Sequence, residues 1–236
     1  MPRRLAIGSV PLAVGTPRIV AAGGAADVDA LAGTPDADLV ELRADLWDQP
    51  SPTELPALLS RLGDAGRPVI LTVRAAGEGG GPLEESLRRT LYLAGLPHVD
   101  ALDVEIASGA LVAELAPRAH TAGVTLILSA HALDTMPPAN ALRALIDRAE
   151  ALGADLTKLV AHARDAIELR TLLAVTLAAA DRGVVTLALG PAGPLSRVVL
   201  PAAGSLLTYG HVGRPTAPSG QLPVGELAAL VRRLYR

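Results

Sequence analysis

Short apolar runs of strand length alternate along the chain with longer segments whose apolar residues recur at helical spacing. The runs that read as strands are 18–22, 38–42, 68–73, 101–105, 124–129, 155–160, 183–189 and 205–209. Between them, "PTELPALLSRLGDAG" (52–66), "LEESLRRTLYLAG" (83–95), "NALRALIDRAEALG" (140–153) and "DAIELRTLLAVTLAAADRG" (165–183) read as helices. Gly95, Gly153 and Gly183 end three of them and are expected to act as C-caps. Eight strands, one every roughly 25 residues and each followed by a helical candidate, predict a (β/α)8 barrel over residues 1–236 as one domain. A doubly wound open sheet uses the same alternation with fewer strands and is the alternative. The opening "LAIGSVPLAVG" falls outside the alternation and reads as a small β-hairpin closing the bottom of the barrel.

A barrel hypothesis predicts where chemistry gathers, because the C-terminal ends of the strands form the active face. Polar residues cluster at those ends. Glu41, Arg43 and Asp45 end the second strand, and Arg74 and Glu78 follow the third. Asp103 and Glu105 lie in the fourth, His131 follows the fifth, and Lys158 sits in the sixth. Arg197 follows the seventh, and Thr216 and Gln221 follow the eighth. Taken singly, several have plain structural readings. Glu41 and Arg43 could form an ion pair inside the barrel, Asp103 and Glu105 could be polar filling, and Arg197 could be exposed.

Composition changes the picture at one position. The chain has 236 residues, 50% of them hydrophobic, and no cysteine. That supplies a sizeable core and excludes disulfides and thiolate chemistry, and it is compatible with the cytoplasm. A net charge of -3 without a basic cluster argues against nucleic-acid or membrane-surface binding. "MPRRLAIGSVPLAVGTPRIV" is broken by Gly and Pro before a signal-peptide core can form, and "TLLAVTLAAA" (171–180) is too short for a membrane span. Of the 21 Lys and Arg residues, Lys158 is the only lysine, and it lies in an apolar strand. Arginine serves a buried ion pair at least as well, so position 158 calls for an amine. A desolvated amine can lose its proton and attack a carbonyl, which points to a Schiff-base lysine. His131, one strand away, suits proton abstraction and return, and Glu78 could orient it. Arg43, Arg74 and Arg197 imply an anionic substrate. No His pair at ligand spacing suggests a metal, and neither "GEGGG" nor "AGGAAD" carries a nucleotide-binding fingerprint.

Strand by strand, "ELRAD", "TVRAAGEGG", "LSAH", "DLTKLV", "LGPAGPLSR" and a terminal "GQ" resemble the type I 3-dehydroquinate dehydratase family over nearly the whole chain. The resemblance implies a lyase that needs no cofactor or metal. It would convert 3-dehydroquinate to 3-dehydroshikimate and water by syn elimination, in the shikimate pathway of aromatic amino acid biosynthesis. Lys158 would form the imine, His131 would shuttle the proton, and Glu78 would pair with His131. Glu41 and Arg43 would bind substrate hydroxyls with Arg74 close by, and Arg197 and Gln221 would hold the carboxylate. It also implies a homodimer. Two departures stand out: "TAPSGQ" (216–221) has one residue more than the usual "SAPGQ", with Thr216 in place of Ser, and Leu189 replaces a Met. Two rival readings remain: another Schiff-base aldolase-type barrel, and a non-catalytic homologue that binds a shikimate-type metabolite.

Overall fold

A computed structural model describes residues 5–217 and 219–235. A two-stranded antiparallel hairpin, β1 (Ala6–Ile7) and β2 (Val10–Pro11), precedes eight parallel strands. These are β3 (Arg18–Gly23), β4 (Leu39–Arg43), β5 (Val69–Thr72), β6 (Ala101–Glu105), β7 (Thr125–Ala132), β8 (Leu156–His162), β9 (Val184–Leu189) and β10 (Leu207–His211). A two-residue strand, β11 (Leu222–Pro223), pairs with β10 at the edge. Helices α1 (Val28–Gly33), α2 (Leu55–Asp64), α3 (Glu85–Gly95) and α4 (Gly109–Ala122) cover the first half of the sheet. The second half is covered by α5 (Ala139–Ala151), α6 (Ala166–Ala178), α7 (Gly193–Val199) and α8 (Val224–Tyr235). The eight strands and their helices form the barrel that the alternation predicts. Among the described residues no helix is long and apolar enough to cross a membrane.

The sheet curls from β10 through β3 to β9 in sequence order. It closes without a full ladder: Leu206 N donates to Val184 O at 3.0 Å, and Arg18 N donates to Leu206 O at 3.0 Å. Ser205, expected in the last strand, lies before it and accepts Thr186 N on its hydroxyl at 2.9 Å, so a side chain replaces a backbone partner. Inward-facing positions alternate along each strand, as the pleat requires. Val20, Leu39, Ile70, Ala101, Ile127 and Leu156 fill the lower interior, with Ile7 and Leu12 of the hairpin packed beneath them. Burying these side chains stabilises the barrel by about 1.5–3 kcal/mol for each large one. The next inward layer is polar, and its shape follows from register. Thr72 stands opposite Asp103, Glu105 opposite Ser129, and Ser129 opposite Lys158.

The glycine expectations divide. Gly153 follows α5 with φ +89°, as a left-handed cap should. Gly183 has φ +67° but lies beyond the end of α6 at Ala178, so it shapes the turn into β9. Gly95 is no cap: it closes α3 with φ -82°, and a Cβ there would meet Leu71 Cδ2 at 2.3 Å. Its role is close helix–strand packing.

Candidate active site

Lys158 projects from β8 into the polar layer and is buried. Its ammonium donates to Asp103 Oδ2 at 2.8 Å and to Glu41 Oε1 at 3.4 Å. It also lies 4.1 Å from the centroid of the Tyr209 ring, a cation–π contact worth about 0.5–2 kcal/mol. The lysine is therefore held by two carboxylates and an aromatic face.

Asp103 is the hub. Its Oδ1 accepts from Arg74 Nη2 at 2.9 Å and from Ser129 Oγ at 2.6 Å. Burial opposes its charge, but Arg74 and Lys158 outweigh burial and hold the carboxyl well below the usual range. Arg74 Nη1 reaches Glu105 Oε1 at 2.9 Å, and Glu105 pairs in turn with Arg88 of α3. Burial would weaken the Arg74 cation, yet Asp103 and Glu105 raise its pKa well above the ordinary value. Arg74 thus borders the cavity with its guanidinium committed to Asp103, Glu105 and Ser129.

His131 lies inside β7, not beyond it, and meets Glu78 from the short 3-10 turn Ala76–Glu78. Glu78 Oε2 accepts both the backbone N–H of His131 at 2.9 Å and the ring Nδ1 at 2.8 Å. Burial pushes the Glu78 carboxyl up to about 7, partly opposed by Arg74. Burial, and then the cations of Arg74 and Lys158, hold His131 well below its ordinary value. The imidazole is therefore neutral, with Nδ1–H donated to Glu78 and Nε2 left as the basic nitrogen.

Arg43 donates Nε and Nη2 to Asp45 at 2.8 and 2.7 Å, and Nη1 to the carbonyl of Thr216 at 2.8 Å. Burial lowers its pKa, but Asp45 more than restores it. Asp45 also accepts Arg74 N at 3.0 Å and Gly81 N at 3.2 Å, tying the glycine loop to the end of β4. Gln221 Oε1 accepts from Thr216 N at 2.7 Å and Ala217 N at 3.2 Å. The loop after β10 is thus latched by Arg43 from inside and Gln221 from its own base. The extra residue of the "TAPSGQ" stretch falls in this loop. Pro218, at its centre, lies outside the described residues.

Arg197 of α7 differs from the other two arginines. It is 2% exposed, and it spends Nε on Tyr209 O at 3.1 Å and Nη1 on Ala188 O and Gly193 O at 3.0 and 2.8 Å. No carboxylate pairs with it among the described residues, and burial alone pulls its pKa down to about 10. A buried cation beside a cavity without a counterion favours an incoming anion.

Glu41, Arg43, Arg74, Glu78, His131, Lys158, Arg197, Thr216 and Gln221, nine of the residues singled out in the sequence, all line one cavity of about 510 Å³ that includes its open mouth. Three participants carry weaker signals in the sequence. Asp103 reads as barrel filling, Asp45 as one more polar strand end, and Tyr209 carries no motif. The signal for Asp103 was its inward parity with Glu105 in "LDVEI"; nothing in the sequence marked Tyr209 beyond its strand position. Among the described residues no cluster of three or more His, Asp or Glu side chains is arranged to hold a metal ion. What the cavity offers is a buried amine, a neutral imidazole backed by a carboxyl, and a guanidinium without a counterion.

The chain is similar to known proteins. A 3-dehydroquinate dehydratase from Methanocella arvoryzae is 35% identical over 199 residues, 84% of this chain and 88% of the relative. One from Methanosarcina mazei is 33% identical over 210 residues, covering 84% and 86%. The crystal structure of a type I 3-dehydroquinate dehydratase from Clostridium difficile, which carries covalently modified comenic acid, matches with a TM-score of 0.89. It is 26% identical and covers 100% of this chain and 99% of that one. The model of the type I 3-dehydroquinases matches residues 23–236, and the chain belongs to that family.

Proposed function

We propose that the chain dehydrates 3-dehydroquinate to 3-dehydroshikimate and water, a step of the shikimate pathway, through an imine on Lys158. The observation that carries this reading is one cavity holding Lys158, the His131–Glu78 pair and Arg197 without a counterion. Arg197 takes the substrate carboxylate, helped by the loop that Thr216 and Gln221 brace. That orients the ketone toward Lys158, with Glu41 and Arg43 on the neighbouring hydroxyls and Arg74 fixing Asp103.

Lys158 Nζ, once deprotonated, adds to the ketone carbon, and loss of water leaves a protonated imine. His131 Nε2 then removes a proton from the carbon beside the imine, and the electron pair moves to nitrogen as an enamine. Collapse of the enamine expels the hydroxyl, which His131 protonates from the same face, a syn elimination. Water hydrolyses the product imine and restores the amine, so one water is released overall. Glu78 accepts Nδ1–H throughout and keeps Nε2 available as base and acid. The same reading includes a homodimer working in the cytoplasm, to be checked by light scattering and cell fractionation.

The deciding experiment is borohydride reduction in the presence of 3-dehydroquinate, followed by peptide mass spectrometry. An adduct on Lys158 together with enone formation by UV absorbance is expected. No adduct with the authentic substrate sinks the mechanism, and an adduct without enone product moves the reading to metabolite binding. Lys158→Arg keeps the charge and is expected to lose turnover.

A further inference from the structure

Tyr209 carries a polar atom that packing does not explain. The alternation of β10 turns Leu207 and Tyr209 inward, and the Tyr209 side chain is 4% exposed. Its ring supplies the cation–π face for Lys158 and lines the cavity, and its carbonyl accepts Arg197 Nε. A phenylalanine would do all of this. The hydroxyl is extra, and it is buried with no hydrogen-bond partner among the described residues. Buried hydroxyls are normally satisfied, and an orphan at a cavity wall marks a group that a ligand engages. Burial, then the nearby charges of Glu41 and Asp103, raise its pKa well above the ordinary value, so the phenol stays a neutral donor. Glu41, whose charge acts on the phenol and which lines the same cavity, already accepts on Oε1 from Lys158 and from Thr72 Oγ1 at 2.9 Å.

We propose that Tyr209 is a specificity-determining residue whose hydroxyl donates to the substrate hydroxyl next to the ketone, while that hydroxyl donates to Glu41. A hydroxyl both donates and accepts, so a carboxylate and a phenol together satisfy it and reject a ring that lacks it. The idea rests on the substrate class proposed above and deepens it.

The test is Tyr209→Phe, which keeps volume and ring, assayed with 3-dehydroquinate and with the analogue lacking the hydroxyl beside the ketone. The variant is expected to lose about 3- to 10-fold in kcat/KM on 3-dehydroquinate, the size of one neutral hydrogen bond, mainly through KM. Its kcat/KM on the analogue should match the wild type's, so the preference between the two compounds shrinks by the same factor. An equal loss on both compounds makes Tyr209 merely structural and overturns the proposal, as does no loss on either. Wild-type protein inert on both compounds, with no reducible adduct, would overturn the dehydratase reading itself and this role with it.

Discussion

Replacing Asp103 with Asn keeps the side-chain volume and removes one negative charge from the middle of the barrel. That charge faces Lys158 Nζ at 2.8 Å and Arg74 Nη2 at 2.9 Å, wholly shielded from solvent. At 2.8 Å and an effective dielectric near 20, Coulomb's law gives about 6 kcal/mol for the lysine pair. Desolvation of both ions offsets much of that, so breaking the pair from one side costs about 3–5 kcal/mol. At about 2–4 °C of Tm per kcal/mol for a chain of this length, Asp103→Asn lowers Tm by about 6–20 °C. Lys158→Met takes away the other ion but leaves Asp103 on Arg74 and Ser129, and it is expected to cost about 1 kcal/mol. The double variant contains neither stranded ion of the pair. It should be more stable than the two single losses predict, with a coupling of about 2–3 kcal/mol. Urea unfolding of the four proteins by circular dichroism completes the cycle. Coupling below about 0.5 kcal/mol would refute the ion-pair reasoning. The pH dependence has a definite sign as well. Because the folded carboxyl is held below its ordinary value, its contribution is present above about pH 4 and lost as pH falls, so Asp103→Asn flattens the acid limb of stability.

Four further outcomes follow from the same cavity. With Glu78 titrating at about 7, kcat/KM should fall as pH drops through that value, because a protonated Glu78 no longer accepts Nδ1–H; an unchanged acid limb in Glu78→Gln contradicts this. Stability runs the other way: a raised carboxyl pKa contributes fully below its ordinary value of 4.5 and is lost as pH rises through about 7, so Glu78→Gln should lose less stability than wild type between roughly pH 5 and 8. Arg197→Met should raise KM by about 10- to 100-fold, the worth of a charge-assisted hydrogen bond, and also lower Tm because the buried carbonyls of Tyr209, Ala188 and Gly193 lose their donor; a kcat defect at unaltered KM would argue against an anion site. Gly80→Ala should depress turnover with the far-UV spectrum intact, since its Cβ would lie 2.0 Å from the carbonyl of Arg74 and displace the loop carrying Glu78; full activity would show that this loop tolerates the shift.

Much of the architecture is legible because barrel strands are short, apolar and regularly spaced; 101–105 matches β6 at both ends. Strand ends are less legible where neighbours decide them. β7 and β8 continue to Ala132 and His162 because their last residues pair with β8 and β9, a non-local fact. Lys158, His131 and Glu78 stand out through residue chemistry. Arg197 reads as exposed on its own helix, and only the packing of β9 and β10 around it shows why it is buried. Asp103 escapes notice for a related reason, since its meaning lies in partners 29 and 55 positions away.

The row of charges from α3 to the cavity has a consequence for the order of events. Arg88, Glu105, Arg74, Asp103 and Lys158 alternate in sign from the helix layer to the barrel centre, with Glu41 beside the last. Three cations face three anions, so the row is neutral only when a positive charge sits at position 158. A free amine there leaves it one negative charge in excess, and a protonated imine restores the balance. In the proposed chemistry the resting ammonium and the covalent intermediate are therefore interchangeable in charge, and the barrel need not rearrange to accept the second. Arg88, on the far side of the strand wall, becomes part of the environment of a carbon–nitrogen bond it never touches.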